Sequence, residues 1–449
     1  MGVFMLSSER KNEIGAKYII EGIASKNDLE TLNIQELIFL IDAVKHFKEK
    51  EAYVLDDLDH KIAFYYEAVL DKVKNAEELY LAINKATNYP HIDDNGNGWI
   101  FSKKKYADAA KDYYLQQFIM LDIITVEKDN LTAAFADLYR YGIEHLLIDN
   151  GQYFLHIKRE EILPPPDWGN IPDIQIPVMN PKLSFAMLQF FQNLYTQNNY
   201  PEKQQNMQML EDKMLDEVLA AKYVMPMRLQ EKEPSEPDKD GMKILKEGSL
   251  IQVPNIVNQT DSTEWLPAFT DWEEFQKMYS KEDWSGNIAT YDDLLTFSNK
   301  AEGIVVNAGG VSLRINEKNK QLIEEYRKSK DLLKEAWVTP HVIKKDTQVL
   351  IGEPEENTVE MVDAMIRFMK AHKGIKKAFL RKMIKEDEAS FLVIVDFKGD
   401  KDIIFKGIAD AAMPHLKGMY LDFHEFDEWA ANTCKEVKPF YKKGFLGLI

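Results

Sequence analysis

Apolar side chains return at helical spacing at two distant places in the chain. Ile34, Leu37, Ile41 and Val44 form one stripe; Leu183, Met187, Phe190 or Phe191, and Leu194 form another. A second stripe follows each. It runs through Ile62, Tyr65, Tyr66, Val69 and Leu70 in the first case, and Met207, Leu210, Met214, Leu215 and Val218 in the second. Each pair leads into a short β-rich run, residues 79–83 and 223–227. Aromatic and methionine stripes of this kind mark core positions.

The stretches that follow also correspond. Trp99-Ile100-Phe101-Ser102 stands where Trp265-Leu266-Pro267-Ala268-Phe269-Thr270 stands later, and Phe135-Ala136-Asp137-Leu138 parallels Tyr291-Asp292-Asp293-Leu294. Gly142-Ile143 and Leu147-Ile148-Asp149-Asn150-Gly151 parallel Gly303-Ile304-Val305-Val306-Asn307-Ala308-Gly309, after which Leu155 and Ile157 match Leu313 and Ile315. Conserved order and spacing predict two copies of one α+β unit, residues 33–158 and 180–316, the second within a domain of residues 182–330. Residues 1–32 read as a helical amino-terminal segment. Thr270-Asp271-Trp272-Glu273 fits a capping box with Thr270 as N-cap, and Ser102 is placed to cap the first copy. Asn307-Ala308-Gly309-Gly310 is a turn between two strands, its glycines permitting positive φ.

Six prolines within residues 162–181 predict a stiff linker over residues 159–181. The charged run 230–247 reads as a loop inside the second copy. Beyond residue 345 the pattern alternates: a strand at 349–351, a helix opened by Glu353-Pro354-Glu355-Glu356, a hairpin of 378–384 and 391–397, a second helix through Ile404 and Ile408, and a strand at 419–423. The order βαββαβ predicts a ferredoxin-like domain over residues 345–443.

The segments Glu264-Trp265-Leu266-Pro267-Ala268-Phe269-Thr270-Asp271-Trp272, Tyr291-Asp292-Asp293-Leu294 and Gly303 to Gly310 resemble the amino-terminal domain of the SseB (enhanced serine sensitivity) family. Gly352-Glu353-Pro354, Ala378-Phe379-Leu380-Arg381 and Pro439-Phe440-Tyr441-Lys442 resemble its carboxy-terminal domain. Similar chains often carry Pro after the Asn of the turn, and Ala308 departs from that pattern. The resemblance implies a bacterial module named for a phenotype, with no reaction attached.

Charge narrows the partners. The net charge of −18 lies wholly before residue 341: the remainder holds 18 basic and 18 acidic residues, leaving 38 against 56 upstream. Such a surface repels phosphate backbones and suits a cationic protein partner, although solubility alone also accounts for it. A single cysteine, Cys434, excludes an intrachain disulfide and a cysteine zinc cluster. The start has no basic segment ahead of a long apolar run, so a cytoplasmic protein without membrane attachment is expected.

Candidate chemistry is thin. Asp93-Asp94-Asn95-Gly96-Asn97-Gly98 opens like a calcium loop, but Lys104 stands where a bidentate Glu is needed, and a hairpin turn accounts for it better. The nine histidines have no zinc-hydrolase spacing, and no phosphate-loop, dinucleotide or nucleophile-elbow motif occurs. Arg367, Lys370, Lys373, Lys376, Lys377, Arg381, Lys382 and Lys385 form the one basic concentration, either a docking patch or a solvated face.

The expectation is a non-enzymatic protein-interaction module, an adaptor or immunity-type partner, with no cofactor, no metal and no nucleic acid. The alternative is an amino-acid sensor linked to serine metabolism. The candidate ligand or interaction surface comprises Trp265, Asn307, Gly309, Gly310, Gly352 and Arg381.

Overall fold

The computed structural model describes residues 6–21, 26–50, 57–169, 171–172, 175–196, 203–230, 250–338, 349–354, 358–372, 374–385, 388–416, 419–435 and 437–443. They form two compact units, Met1–Lys334 and Glu335–Ile449.

In the first unit the apolar stripes become the helices Ile34–Lys50, Leu58–Lys74, Pro181–Tyr195 and Lys203–Ala220. Their buried faces, including Leu37, Ile41, Val69, Leu183, Met187 and Met214, enter one core that also takes Leu266 and Ile304 from the later strands. The linker residues described between 163 and 180 carry no α-helix and no strand, and Pro181 opens the next helix, where its missing N–H costs nothing. The amino-terminal helix Ser8–Gly15 packs on the Ile34–Lys50 helix, with Arg10 paired to Glu36 at 2.7 Å. The short π-helix Ala16–Ile20 is held by the Leu58–Lys74 helix, where Lys61 donates to the Ile19 carbonyl at 2.7 Å.

Both halves of this unit pair their strands alike. In the first, Asn97–Phe101 runs parallel to His145–Ile148, which turns back antiparallel into Leu155–Lys158. In the second, Glu264–Ala268 runs parallel to Gly303–Val306, which turns back into Leu313–Asn316. Glu78–Asn84 pairs Leu121–Glu127, as Tyr223–Gln230 pairs Ser285–Ala289. The first half closes into one six-stranded sheet; the second splits into a four- and a three-stranded sheet, linked by the Val224–Phe269 bridge.

Local details differ from the sequence expectation. The N-cap of the Trp272–Gln276 helix is Asp271, whose carboxylate accepts the Glu273 and Glu274 N–H groups at 3.0 and 2.9 Å. Thr270 is instead tied to Asn307: the Asn side-chain oxygen accepts the Thr270 N–H at 2.9 Å, and its amide donates to the Thr270 hydroxyl at 3.0 Å. Ser102 likewise does not cap. Its N–H and hydroxyl both donate to Asp149 at 2.7 Å, and the next helix starts behind Lys103. A turn that can borrow a side chain from the neighbouring parallel strand satisfies its donors there, leaving the cap to the following residue. In the turn after Gly303–Val306, Asn307 takes the positive φ of 54°, while Gly309 and Gly310 stay in ordinary backbone regions.

The two halves are locked by buried charge. Arg140, at the end of the Leu131–Arg140 helix, reaches across to Asp271 Oδ1 at 3.1 Å and Glu274 Oε1 at 3.4 Å. Glu274 also accepts Lys277 Nζ at 2.7 Å and the Tyr89 hydroxyl at 2.9 Å. Gly310 closes the cluster, since a Cβ there would fall inside the Tyr89 hydroxyl.

In the second unit the element order βαββαβ is present, but the sheet is not ferredoxin-like. Val349–Gly352 lies directly beside Ile375–Lys385 and antiparallel to it; then come Glu388–Phe397 and the parallel Tyr420–Glu425. A split βαβ needs its first two strands parallel with another between them. Here Gly352 sits level with Lys382, and the 13-residue helix Val359–Ala371 leads to Ile375 at the other end of the strand. The helix, about 20 Å long, therefore extends the path of the first strand and does not cross back over the sheet. It starts at Val359 behind Thr358, later than the acidic run suggested. Two helices cover one sheet face through Met361, Met365 and Ile408; Cys434 is buried under the other with Phe379 and Ile394. Of the charged run 230–247, residues from 231 onward lie outside the described residues.

Removing one partner of a buried charge set leaves the others desolvated and unpaired. Arg140→Met should cost the first unit about 3–5 kcal/mol, read by urea unfolding. A loss below about 1 kcal/mol would mean that water already solvates the cluster.

Candidate functional site

A groove of about 420 Å³ opens in the first unit, mostly on its first half and closed by Gln192 to Thr196, within the size range of ligand sites. Its inner wall is a row of rings. His91 meets Trp99 edge to face at 4.5 Å between centroids, and Trp99 meets Tyr114 at 4.5 Å. Hydrogen bonds hold the row in place. The indole N–H of Trp99 donates to Asp93 Oδ2 at 3.0 Å, and the Tyr114 hydroxyl accepts Asn150 Nδ2 at 2.9 Å.

The segment that resembled a calcium loop builds one edge. Asp93 Oδ1 accepts the N–H groups of Asn95 at 3.0 Å and Asn97 at 2.8 Å, and Gly96 takes a φ of 83°. The carboxylate is thus spent on closing a turn and holding Trp99.

His91 is 5% exposed, and neither ring nitrogen has a hydrogen-bond partner. Its backbone is pinned on both sides. The His91 N–H donates to Ala82 O at 2.9 Å, and Gln192 donates to Pro90 O at 2.9 Å while accepting the Ile92 N–H at 3.0 Å. Burial holds the imidazole neutral and pushes its pKa down to about 4, against a small opposing pull from Asp93.

The rim is apolar and open: Phe118 is 56%, Phe154 52% and Tyr195 50% exposed. Phe118 has a φ of 62°. It occupies the left-handed position after the Lys104–Leu115 helix, with its N–H on Leu115 O at 3.1 Å and the Ile119 N–H on Tyr114 O at 3.0 Å. That pair of bonds is the Schellman motif, in which glycine is usual. No Lys or Arg lines the groove among the described residues, whereas Asp93 and Asp94 do.

The residues singled out from sequence fall elsewhere. Asn307 is 6% exposed and engaged with Thr270. Gly309 lies against Lys277 and Met278, and Gly310 against Tyr89. Trp265 is 8% exposed, its indole donating to Thr263 Oγ1 at 2.8 Å. Gly352 and Arg381 belong to the second unit, on neighbouring strands. Of the basic concentration there, Lys376 pairs with Asp396 at 2.9 Å and Lys377 lies 3.5 Å over the Phe426 ring; Lys373 lies outside the described residues. Sequence reasoning passed over His91, Phe118 and Phe154. One local signal existed: a helix ending at Leu115 with no Gly or Asn to take the left-handed position.

No group of three or more His, Cys, Asp or Glu placed to hold a metal occurs among the described residues, and no helix among them is long and apolar enough to cross a membrane. Residues 202–318 match the family described as the SseB protein N-terminal domain, and residues 343–443 match the SseB protein C-terminal domain. No curated protein and no solved structure matches the chain. The groove residues, 84–156 and 192–196, lie outside both matched spans.

Two outcomes follow from this geometry. A histidine held below its unfolded pKa leaves the unfolded chain with more bound protons between about pH 6.5 and 4. Acidification through that window should therefore remove about 3 kcal/mol in all, and His91→Phe should lose this slope; an equal slope in both proteins would refute the buried neutral ring. Phe118→Gly should raise stability by about 1 kcal/mol in thermal unfolding by relieving the left-handed strain. A fall in melting temperature would instead assign Phe118 a packing role.

Proposed function

Because this chain carries both SseB domains in order, we propose that it is a non-enzymatic protein-interaction module of that family, an adaptor or immunity-type partner in the cytoplasm. We read its first unit as a duplicated α+β unit, on the strength of the repeated strand pairing. The second copy, which holds the matched span, serves as the platform; the groove lies mostly on the first, with Gln192 to Thr196 of the second completing its rim. The observation that carries the reading is the rim. Three large aromatic side chains stand about half exposed around one concavity, and the most exposed of them holds a strained backbone. Exposed apolar surface gathered at a concavity marks binding, and strain persists where surrounding structure enforces it.

Catalysis has little to work with there. Asp93 is committed to its turn, and His91 has no acid or base within hydrogen-bond reach. An amino-acid sensor is the second reading, favoured by the groove's volume. A free amino acid brings a carboxylate, and the lining offers amide and hydroxyl donors but no Lys or Arg to meet it.

The test places a photo-cross-linking residue at Phe154 of the full chain in native lysate. A small set of salt-sensitive adducts is expected, lost when Phe118→Asp is added and kept when Phe297→Asp, an equally exposed change elsewhere, is added instead. Adducts indifferent to Phe118→Asp would refute the groove as the interaction surface.

A further inference from the structure

We infer that the strand Leu121–Glu127 is a self-association edge, joining two copies of this chain antiparallel about a two-fold axis at Ile124. The edge is a surface distinct from the groove, although Met120 at its start also lines the groove. Self-association here requires nothing of whatever the groove binds.

The strand closes its sheet on one side. It pairs along its whole length with Glu78–Asn84, without a register shift, and no other strand among the described residues pairs with it. The ladder fixes which backbone groups are free. Met120 O accepts the Lys85 N–H at 3.0 Å, and the Lys128 N–H donates to Glu77 O at 2.9 Å, so the even-numbered residues bond inward. The N–H and C=O groups of Leu121, Ile123, Thr125 and Glu127 therefore point outward. None of these eight has a backbone partner among the described residues.

Sheet edges are ordinarily blunted by shortness, proline, lysine or a bulge. The opposite edge of this sheet, Leu155–Lys158, has four residues and ends in a lysine. The corresponding strand of the later half, Ser285–Ala289, has five with a glycine among them. Leu121–Glu127 has seven, carries no proline, lysine or bulge, and runs through Ile123, Ile124, Thr125 and Val126 in succession. Apolar surface gathers beside it. Leu115, Phe118 and Met120, which lead into the strand, are exposed, and Ile124 at its centre is 44% exposed.

A reversed copy of the same strand fits this edge. About an axis at Ile124, Leu121 of one copy meets Glu127 of the other, and Ile123 meets Thr125. All eight outward groups of each copy are then bonded. The two Ile124 side chains face each other in a non-hydrogen-bonded pair, where opposite residues approach most closely. On the same face Asp122 lies diagonal to Lys128 of the other copy, so acid meets base on both sides of the axis. Asp122 already holds Lys111 at 3.0 Å and Lys128 holds Glu77 at 2.7 Å. Both are exposed pairs that cost little to exchange or extend. An unrelated extended peptide would satisfy the backbone equally well, but an acid at one end and a base at the other favour the reversed copy. The net charge of −18 opposes the approach of two copies, so the association is weak, in the micromolar range.

The experiment uses the full-length chain. Sedimentation velocity should show a reversible dimer that dissociates on dilution through the micromolar range. Thr125→Pro removes one outward N–H and leaves the ladder to Glu78–Asn84 whole, while Ile124→Lys sets two like charges together at the axis. Each should weaken dimerisation about tenfold or more with circular dichroism unchanged. Asp122→Lys or Lys128→Asp alone should weaken it about two- to fivefold, and the double swap should restore it. In a Cys434→Ser background, which leaves no other thiol, Ile124→Cys should oxidise to a covalent dimer. Glu127→Cys, about 20 Å from its counterpart along the paired strands, should not. A monomer at every concentration up to about 100 μM would overturn the inference, as would a dimer indifferent to both Thr125→Pro and Ile124→Lys. Open-ended growth past the dimer, or cross-linking at 127 as readily as at 124, would reject the two-fold axis. Should both edge variants unfold, the two cysteine variants decide alone.

Discussion

Arg140 is a charge withdrawn from water, and the first unit is arranged around keeping it satisfied. Its guanidinium spans Asp137 on its own helix and Asp271 and Glu274 on the later half. Charges in such a place are stable only when every partner is present in good geometry, so the cluster admits one arrangement of the halves. A shift of one helical residue would leave at least one acid buried without a cation. The constraint reaches the groove through Tyr89, whose hydroxyl bonds Glu274 and whose chain continues through Pro90 to His91. Position in the groove wall is therefore set partly by Glu274, which lies outside the groove in the later half.

Two turns solve one structural problem with different chemistry. Asp149 and Asn307 each follow the middle strand of a parallel pair, take positive φ, and accept a backbone N–H from the opposite strand end. Asn307 has an amide that donates back to Thr270. Asp149 has none, and burial pushes its pKa up; Ser102 and Gln35 oppose that only in part by donating to it. A carboxylate in this position needs an extra donor, and the Ile34–Lys50 helix supplies one through Gln35. The amide position needs no such support.

How far the sequence reads ahead to this structure depends on how local each determinant is. Stripes such as Leu183, Met187 and Phe191 and runs such as residues 304–306 are set by neighbours a few positions away, and both appear as helix and strand. The cap at Asp271 was misassigned to Thr270 because the competing partner, Asn307, lies 37 residues away. The ferredoxin-like expectation failed for a similar reason. Element order alone does not say which strands pair, and here the hairpin takes Val349–Gly352 at its far end. The groove was the least legible feature. Its parts come from turns, one helix end and the tip of another helix, and its one motif-like stretch, residues 93–98, is spent on a turn. Conversely, the signature that identified the family proved to be largely interior, spent on the cap at Asp271, the Asn307 turn and the contact at Gly310.

Gly310 shows how far that interior role reaches along the chain. Its missing side chain is required by the hydroxyl of a tyrosine more than two hundred residues earlier, in the other half. In a chain with only the later half, nothing from Tyr89 would oppose a larger residue there, and drift at that site would be free of this constraint. With both halves present the two positions are sterically coupled: a larger residue at 310 requires the Tyr89 hydroxyl to shift. The glycine is therefore kept small by a contact between distant parts of the chain, which neither half's own folding would require.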